Sequence, residues 1–179
     1  MRGAYTDEPE LQSEKALFNG VLEEIKCILH ALKLGGKVIN YVILRDFGLD
    51  IAVFITTPEH FLFRCIELKV YKPSSGRIGV GNQRGEGRQI DILLLNAGKL
   101  ALLDVFCRWI IADSSRGIGT PRYVFCTNSD VKEHIMGQVR RGKQNNISPH
   151  IFNTMKLLTW NDLSTELEKF LISWPRPVA

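Results

Sequence analysis

RCIELKVYK, residues 64–72, places two opposite charges, Glu67 and Lys69, inside a run that otherwise reads as a β-strand. Side chains alternate across a strand, so Glu67 and Lys69 share one face and Ile66, Leu68 and Val70 the other. An exposed pair of this kind on an edge strand is worth at most about 1 kcal/mol. The alternative is that a carboxylate and an ammonium two residues apart belong to a site. The flanking sequence bears on that choice.

Working outward, FLFRCIELKVY (61–71) follows a second strand-like run, DIAVFIT (50–56), across the short segment TPEH (57–60), whose proline suits a turn. If Thr56 pairs with Phe61, Ile55 faces Leu62, and the same register carries Asp50 to a position opposite Glu67. Residues directly opposed in an antiparallel pair project on one face with Cβ atoms about 5 Å apart. The hairpin therefore gathers Asp50, Glu67 and Lys69. Two facing carboxylates repel and are kept mainly where a cation sits between them. Lys69 supplies one positive charge, and a divalent ion would supply two more. Oxygen donors at this density suit Mg²⁺ or Mn²⁺, and no His or Cys joins them to favour zinc.

The rest of the chain frames this hairpin. Residues 10–34 carry Leu11, Phe18, Val21, Leu22, Ile25, Leu29 and Leu32 at helical spacing, and Gly35-Gly36 ends the run. KVINYVIL (37–44) reads as a first strand. KPSSGRIGVGNQRGEG (72–87) reads as a mobile basic loop, and RQIDILLLN (88–96) as a short helix. Residues 99–112 fit helix and strand equally. RYVFCTN (122–128) is expected as a strand, DVKEHIMGQVRR (130–141) as a helix, MKLLTW (155–160) as a strand, and NDLSTELEKFL (161–171) as a helix capped by Asn161 or Asp162. That order predicts a mixed α/β domain with a central four- to five-stranded sheet flanked by helices.

Composition agrees with one domain over 1–179, with residues 1–9 as a tail. The chain has 179 residues, 45% hydrophobic and 23% charged. No apolar run approaches the ~18 residues of a membrane span, and the polar N-terminus is not a secretory signal. The four cysteines, at 27, 65, 107 and 126, form no CxxC and read mostly as buried thiols, which points to an intracellular, cytoplasmic setting. Net charge is +4 and uneven: residues 1–50 hold six Lys/Arg against eight Asp/Glu, residues 72–145 twelve against six. That asymmetry suits a nucleic-acid-binding face. Its candidates are Arg77, Arg84 and Arg88 in the glycine-rich run, and Arg140, Arg141 and Lys143 further on. The spacing of Gly79, Gly81 and Gly85 fails the dinucleotide fingerprint, and no Gly-Lys-Ser/Thr follows to make a phosphate loop. Asp91 reads as the polar side of a helix. Asp104, inside another apolar run, would need a partner if buried.

Asp50 followed by Glu67-Leu68-Lys69 on the next strand resembles the PD-(D/E)XK nuclease superfamily, whose restriction-endonuclease-like core has a similar order of elements over about residues 10–160. Residue 49 is Leu rather than Pro, so the first half of the motif is incomplete. The resemblance implies a metal-dependent endonuclease acting on DNA. Asp50 and Glu67 would bind Mg²⁺ or Mn²⁺ with the backbone carbonyl of Leu68, and Lys69 would position or deprotonate the attacking water. Gln89 stands where many members carry a glutamine. Some members add a first-helix glutamate; Glu14 is the preferred candidate, with Glu23 and Glu24 as alternatives. The resemblance also suggests a homodimer. Two other readings compete: a nuclease-like fold that only binds nucleic acid, and a small regulatory or scaffolding α/β protein.

Overall fold

The computed structural model describes residues 9–37, 40–44, 50–56, 61–78, 92–117, 119–143 and 146–173, without the side chains at 9–14, 75 and 77. Helix α1 (Pro9–Leu34) is followed by β1 (Asn40–Ile43), β2 (Ile51–Thr56) and β3 (Phe61–Lys72). A 3₁₀ turn (Pro73–Ser75) and the short β4 (Arg77–Ile78) come next, then α2 (Ala97–Phe106), β5 (Cys107–Asp113), β6 (Tyr123–Cys126), α3 (Asn128–Arg140), α4 (Ile151–Thr154) and α5 (Trp160–Ile172).

The strands form one mixed sheet in the order β1-β2-β3-β5-β6, with β4 added to the far end of β3. Among the described strands only β3 and β5 pair in parallel. This is the expected mixed α/β architecture with helices on both faces. On one face α1 and α5 close over Ile51, Val53, Ile66, Leu68, Val70 and Ile110. α1 does so through Val21, Leu22, Ile25, Ile28, Leu29 and Leu32, an i, i+3, i+4 stripe. On the other face α3 and α4 pack Val131, Ile135, Ile151 and Phe152 against Trp109, Ile111 and Val124. A fully buried isoleucine or leucine contributes roughly 1.5–3 kcal/mol each, so the two aliphatic layers hold the sheet from both sides.

Several expectations are corrected. Residues 99–112 are both elements in succession. Asn96 caps α2, and at Cys107 the chain turns extended without a loop. β5 thus becomes the central neighbour of β3, a strand missing from the expected order. MKLLTW is not a strand. Only Leu158 bridges to Tyr123, because Met155 closes α4 and Thr159 already caps α5. The cap of α5 is Thr159 rather than Asn161 or Asp162. Asp162 is the return half of a capping box, accepting from Thr159 N at 3.2 Å and Oγ1 at 2.7 Å. Those bonds hold the Asp162 carboxyl below the usual range. Within the expected loop, Pro73–Ser75 is a 3₁₀ turn and Arg77–Ile78 pairs back on β3. Gly76 supports this turn at φ 62, where a side chain would be strained. In the expected helix over 88–96 only residues 92–94 are helical among those described. Asp91 and the rest of the glycine-rich run lie outside the described residues.

Asp104 has the partner it needs. From α2 it reaches the start of α3, where Oδ1 accepts from Asn128 N at 2.7 Å and Nδ2 at 2.9 Å, and Oδ2 accepts from Ser129 Oγ at 2.5 Å. A carboxylate at a helix N-terminus also meets the positive end of the helix dipole. Asn128, fully buried, passes the link on by accepting from Trp109 Nε1 at 2.9 Å. Asp104→Ala is expected to cost about 2 kcal/mol, read as a lower urea midpoint at unchanged slope.

Candidate functional site

The β2–β3 register is the expected one. Thr56 pairs with Phe61, Ile55 with Leu62, and the ladder runs to Ile51 opposite Ile66. There it breaks. Asp50 N–H turns back to Ile66 O at 3.2 Å instead of continuing the register, and the Asp50 carboxylate accepts the Leu68 N–H at 2.7 Å. On the same edge of β3, Tyr71 and Lys72 pair with the described residues of β4. Asp50 therefore sits just beyond the end of the β2 ladder, and its carboxylate takes the Leu68 N–H on that edge of β3. N–H and C=O of one strand residue point to the same edge, so the Leu68 carbonyl faces the edge of β3 that Asp50 occupies.

Glu67 and Lys69 flank Leu68 on the opposite side of the backbone from its buried side chain. Glu67 Oε1 and Lys69 Nζ form an ion pair of 2.5 Å, with side chains 5% and 11% exposed. β5 supplies the floor: Glu67 lies in register with Trp109 and Lys69 with Ile111. Lys69 Nζ stands 5.9 Å from the Trp109 ring centroid, a cation–π distance that also limits water. An ion pair this dry is costly to break, because either partner alone would be a buried charge. The structure thus joins Asp50 to the backbone of Leu68 and pairs Glu67 with Lys69 on either side of it. Among the described residues no group of three or more His, Cys, Asp or Glu could hold a metal ion. A set of two carboxylates and a backbone carbonyl falls outside that description. The donor chemistry fits a hard divalent cation: all oxygen, and each carboxylate offering about four lone-pair positions.

The first helix contributes differently from expectation. Glu23 is exposed and pairs with Lys26 at 2.7 Å. Glu24 accepts from Tyr123 OH and faces Arg122 Nη1 at 3.4 Å. Tyr123 belongs to the core under α1, on the face opposite Trp109 and Glu67. Glu24 is thereby tied to the far side of the sheet, and burial together with that carboxylate pushes the Tyr123 hydroxyl well up. Glu14 is in α1, with its side chain outside the described residues. Gln89, Arg84 and Arg88 also lie outside them, and Arg77 is placed on β4 by backbone alone.

Arg140, Arg141 and Lys143 are exposed at the end of α3. That helix starts beside Trp109 and packs on the sheet face that carries Glu67 and Lys69. The basic end and the acid–lysine pair thus belong to one side of the molecule. Next to it His134, 8% exposed, accepts the Ser148 N–H on Nε2 at 3.2 Å, which requires that nitrogen to be unprotonated. Burial, then His150 and Arg141, hold His134 down to about 4. The folded state disfavours the proton that the unfolded chain accepts. Stability is therefore full above about pH 6.5 and lost as the pH falls from there towards 4. Urea midpoints across that window are expected to fall less steeply in His134→Gln than in the native chain.

Sequence reasoning missed Arg64, which is 1% exposed. It faces α5, donating to Phe170 O at 3.3 Å and Ser173 O at 2.6 Å. Its only local signal was a charge on the apolar side of the strand. Burial and the neighbouring Arg108 depress it, and both guanidiniums lie over the Phe170 ring, at 5.5 and 4.6 Å. Comparison with known proteins finds no family model, no curated protein and no solved structure that matches this chain.

Proposed function

We propose that the protein is a metal-dependent DNA endonuclease that hydrolyses phosphodiester bonds with a metal-activated water. One observation carries the reading. At the break in the β3 ladder the Asp50 carboxylate is fastened to the Leu68 N–H, between Glu67 and Lys69, which are paired at 2.5 Å. Two carboxylates and a backbone carbonyl close along β3 supply the oxygen donors that a hard cation takes. The sequence resemblance to PD-(D/E)XK nucleases supports the same assignment, as does the exposed basic end of α3.

Asp50, Glu67 and the Leu68 carbonyl would hold Mg²⁺ or Mn²⁺. Such an ion, when bound, polarises a phosphate oxygen and acidifies a water. Lys69 would orient the attacking water or take its proton. Arg140, Arg141 and Lys143, with Arg77, Arg84 and Arg88, would neutralise backbone phosphates, giving affinity without sequence information. A single positioned acid or base supplies ~10²–10⁴-fold. Enzymes commonly lower barriers by ~8–23 kcal/mol. Lys69 alone would fall short, which is why the carboxylates are given the larger share. The test is cleavage of plasmid and branched DNA with Mg²⁺ or Mn²⁺, and of RNA beside it. Cutting that needs the ion supports the reading, and none in any condition rejects it.

The direct Lys69–Glu67 contact favours one rival, a nuclease-like fold that binds nucleic acid with the site idle. That reading expects salt-sensitive DNA binding with no cutting. A regulatory or scaffolding protein would show neither.

A further inference from the structure

The β3 face that presents Glu67 and Lys69 also presents Phe61 and Phe63, since the four positions alternate with the buried side of the strand. Phe54 stands opposite Phe63 on β2. The three rings form a cluster, Phe54 to Phe63 at 5.5 Å and Phe54 to Phe61 at 6.1 Å between centroids. None of them belongs to either core. Phe61 is 65% and Phe63 38% exposed, and Val42 beside them on β1 is 44% exposed. The helices on this side pack over β3, β5 and β6 and leave these rings uncovered among the described residues.

We infer that Phe54, Phe61 and Phe63 form a stacking platform for the unpaired bases of single-stranded nucleic acid. Exposed rings on a sheet offer π-faces to bases of any sequence. The partner's other half, the phosphate backbone, is matched by the net charge of +4 and by the exposed Arg140, Arg141 and Lys143 on the helix of the same face. The platform lies on the same strand face as the candidate site, with the buried Cys65 between Phe63 and Glu67. Phe63 and Glu67 are separated by about 13 Å of strand, at ~3.3 Å per residue. A strand lying along β3 would place its backbone at the acid–lysine pair while its bases rest on the phenyl rings. This deepens the nuclease reading by naming a substrate class, DNA with a single-stranded end or flap, and rests on that reading only for the cutting step.

The test is binding of a labelled oligothymidylate to the full chain in EDTA, where cleavage cannot interfere. Phe61→Leu and Phe63→Leu are each expected to weaken binding about tenfold, with the dependence on salt unchanged because stacking releases no counterions. Phe61→Trp is expected to bind at least as tightly as the native chain. Leucine variants that bind as the native chain does would overturn the platform. So would a leucine variant that only shifts sedimentation from dimer to monomer, since the face would then cover a second copy. Platform and nuclease fail separately. Lost oligothymidylate binding in a protein that never cuts keeps the first, and ion-dependent cutting with unchanged binding keeps the second.

Discussion

Glu67→Gln is expected to reduce ion-dependent cleavage by at least about 10³-fold, more than one misplaced acid or base would explain. The same change leaves the Lys69 ammonium, 11% exposed, without the carboxylate it meets at 2.5 Å. Breaking such a pair costs about 3–5 kcal/mol. Lost activity alone could then be lost folding. The double variant Glu67→Gln/Lys69→Met separates the two, because removing both charges of a buried pair is often neutral or stabilising. It should recover most of the urea midpoint and remain inactive. A double variant that is stable and still cuts would show that the pair serves only the fold.

Arg64→Ala is the second large effect. The guanidinium fixes the end of α5 to the middle of the sheet through Phe170 O and Ser173 O. Removing it takes one donor from each carbonyl, Phe170 O keeping Ser173 Oγ at 3.1 Å, and leaves a cavity beneath the Phe170 ring. A loss of about 3–4 kcal/mol follows, seen as a melting temperature lower by roughly 10 °C. Arg64→Lys is expected to rescue little, since a single ammonium cannot span both carbonyls as the planar fork does. Cleavage per folded molecule should be unchanged at temperatures where both proteins are folded, because Arg64 lies on the α1 side of the sheet.

The contrast between these two sites shows what the sequence could disclose. The β2–β3 hairpin was legible because alternation and a short connection leave one register, and the pairing of Thr56 with Phe61 follows it. The convergence of Asp50 with Glu67 and Lys69 came from counting along that register. The ladder break at Asp50 did not, since it arises where β2 ends and the carboxylate takes the Leu68 N–H. β5 was hidden because α2 runs into it with no loop, so helical and extended patterns overlap at Cys107. MKLLTW has strand composition, but the neighbouring helix caps leave it room for only one bridge. Arg64 and Asp104 act on residues far along the chain, at separations of 109 and 24 positions, where local patterning carries no information. Glu24 was one of the alternative first-helix glutamates, and its partners Arg122 and Tyr123 lie 98 and 99 positions away in sequence.

Cleavage as proposed depends on a divalent cation at Asp50 and Glu67. Calorimetric titration of the metal-free chain with Mn²⁺ tests this without any nucleic acid. The expected result is one ion per chain, with binding lost in Asp50→Asn while the thermal transition persists. No bound ion, or the same isotherm in the variant, would contradict it.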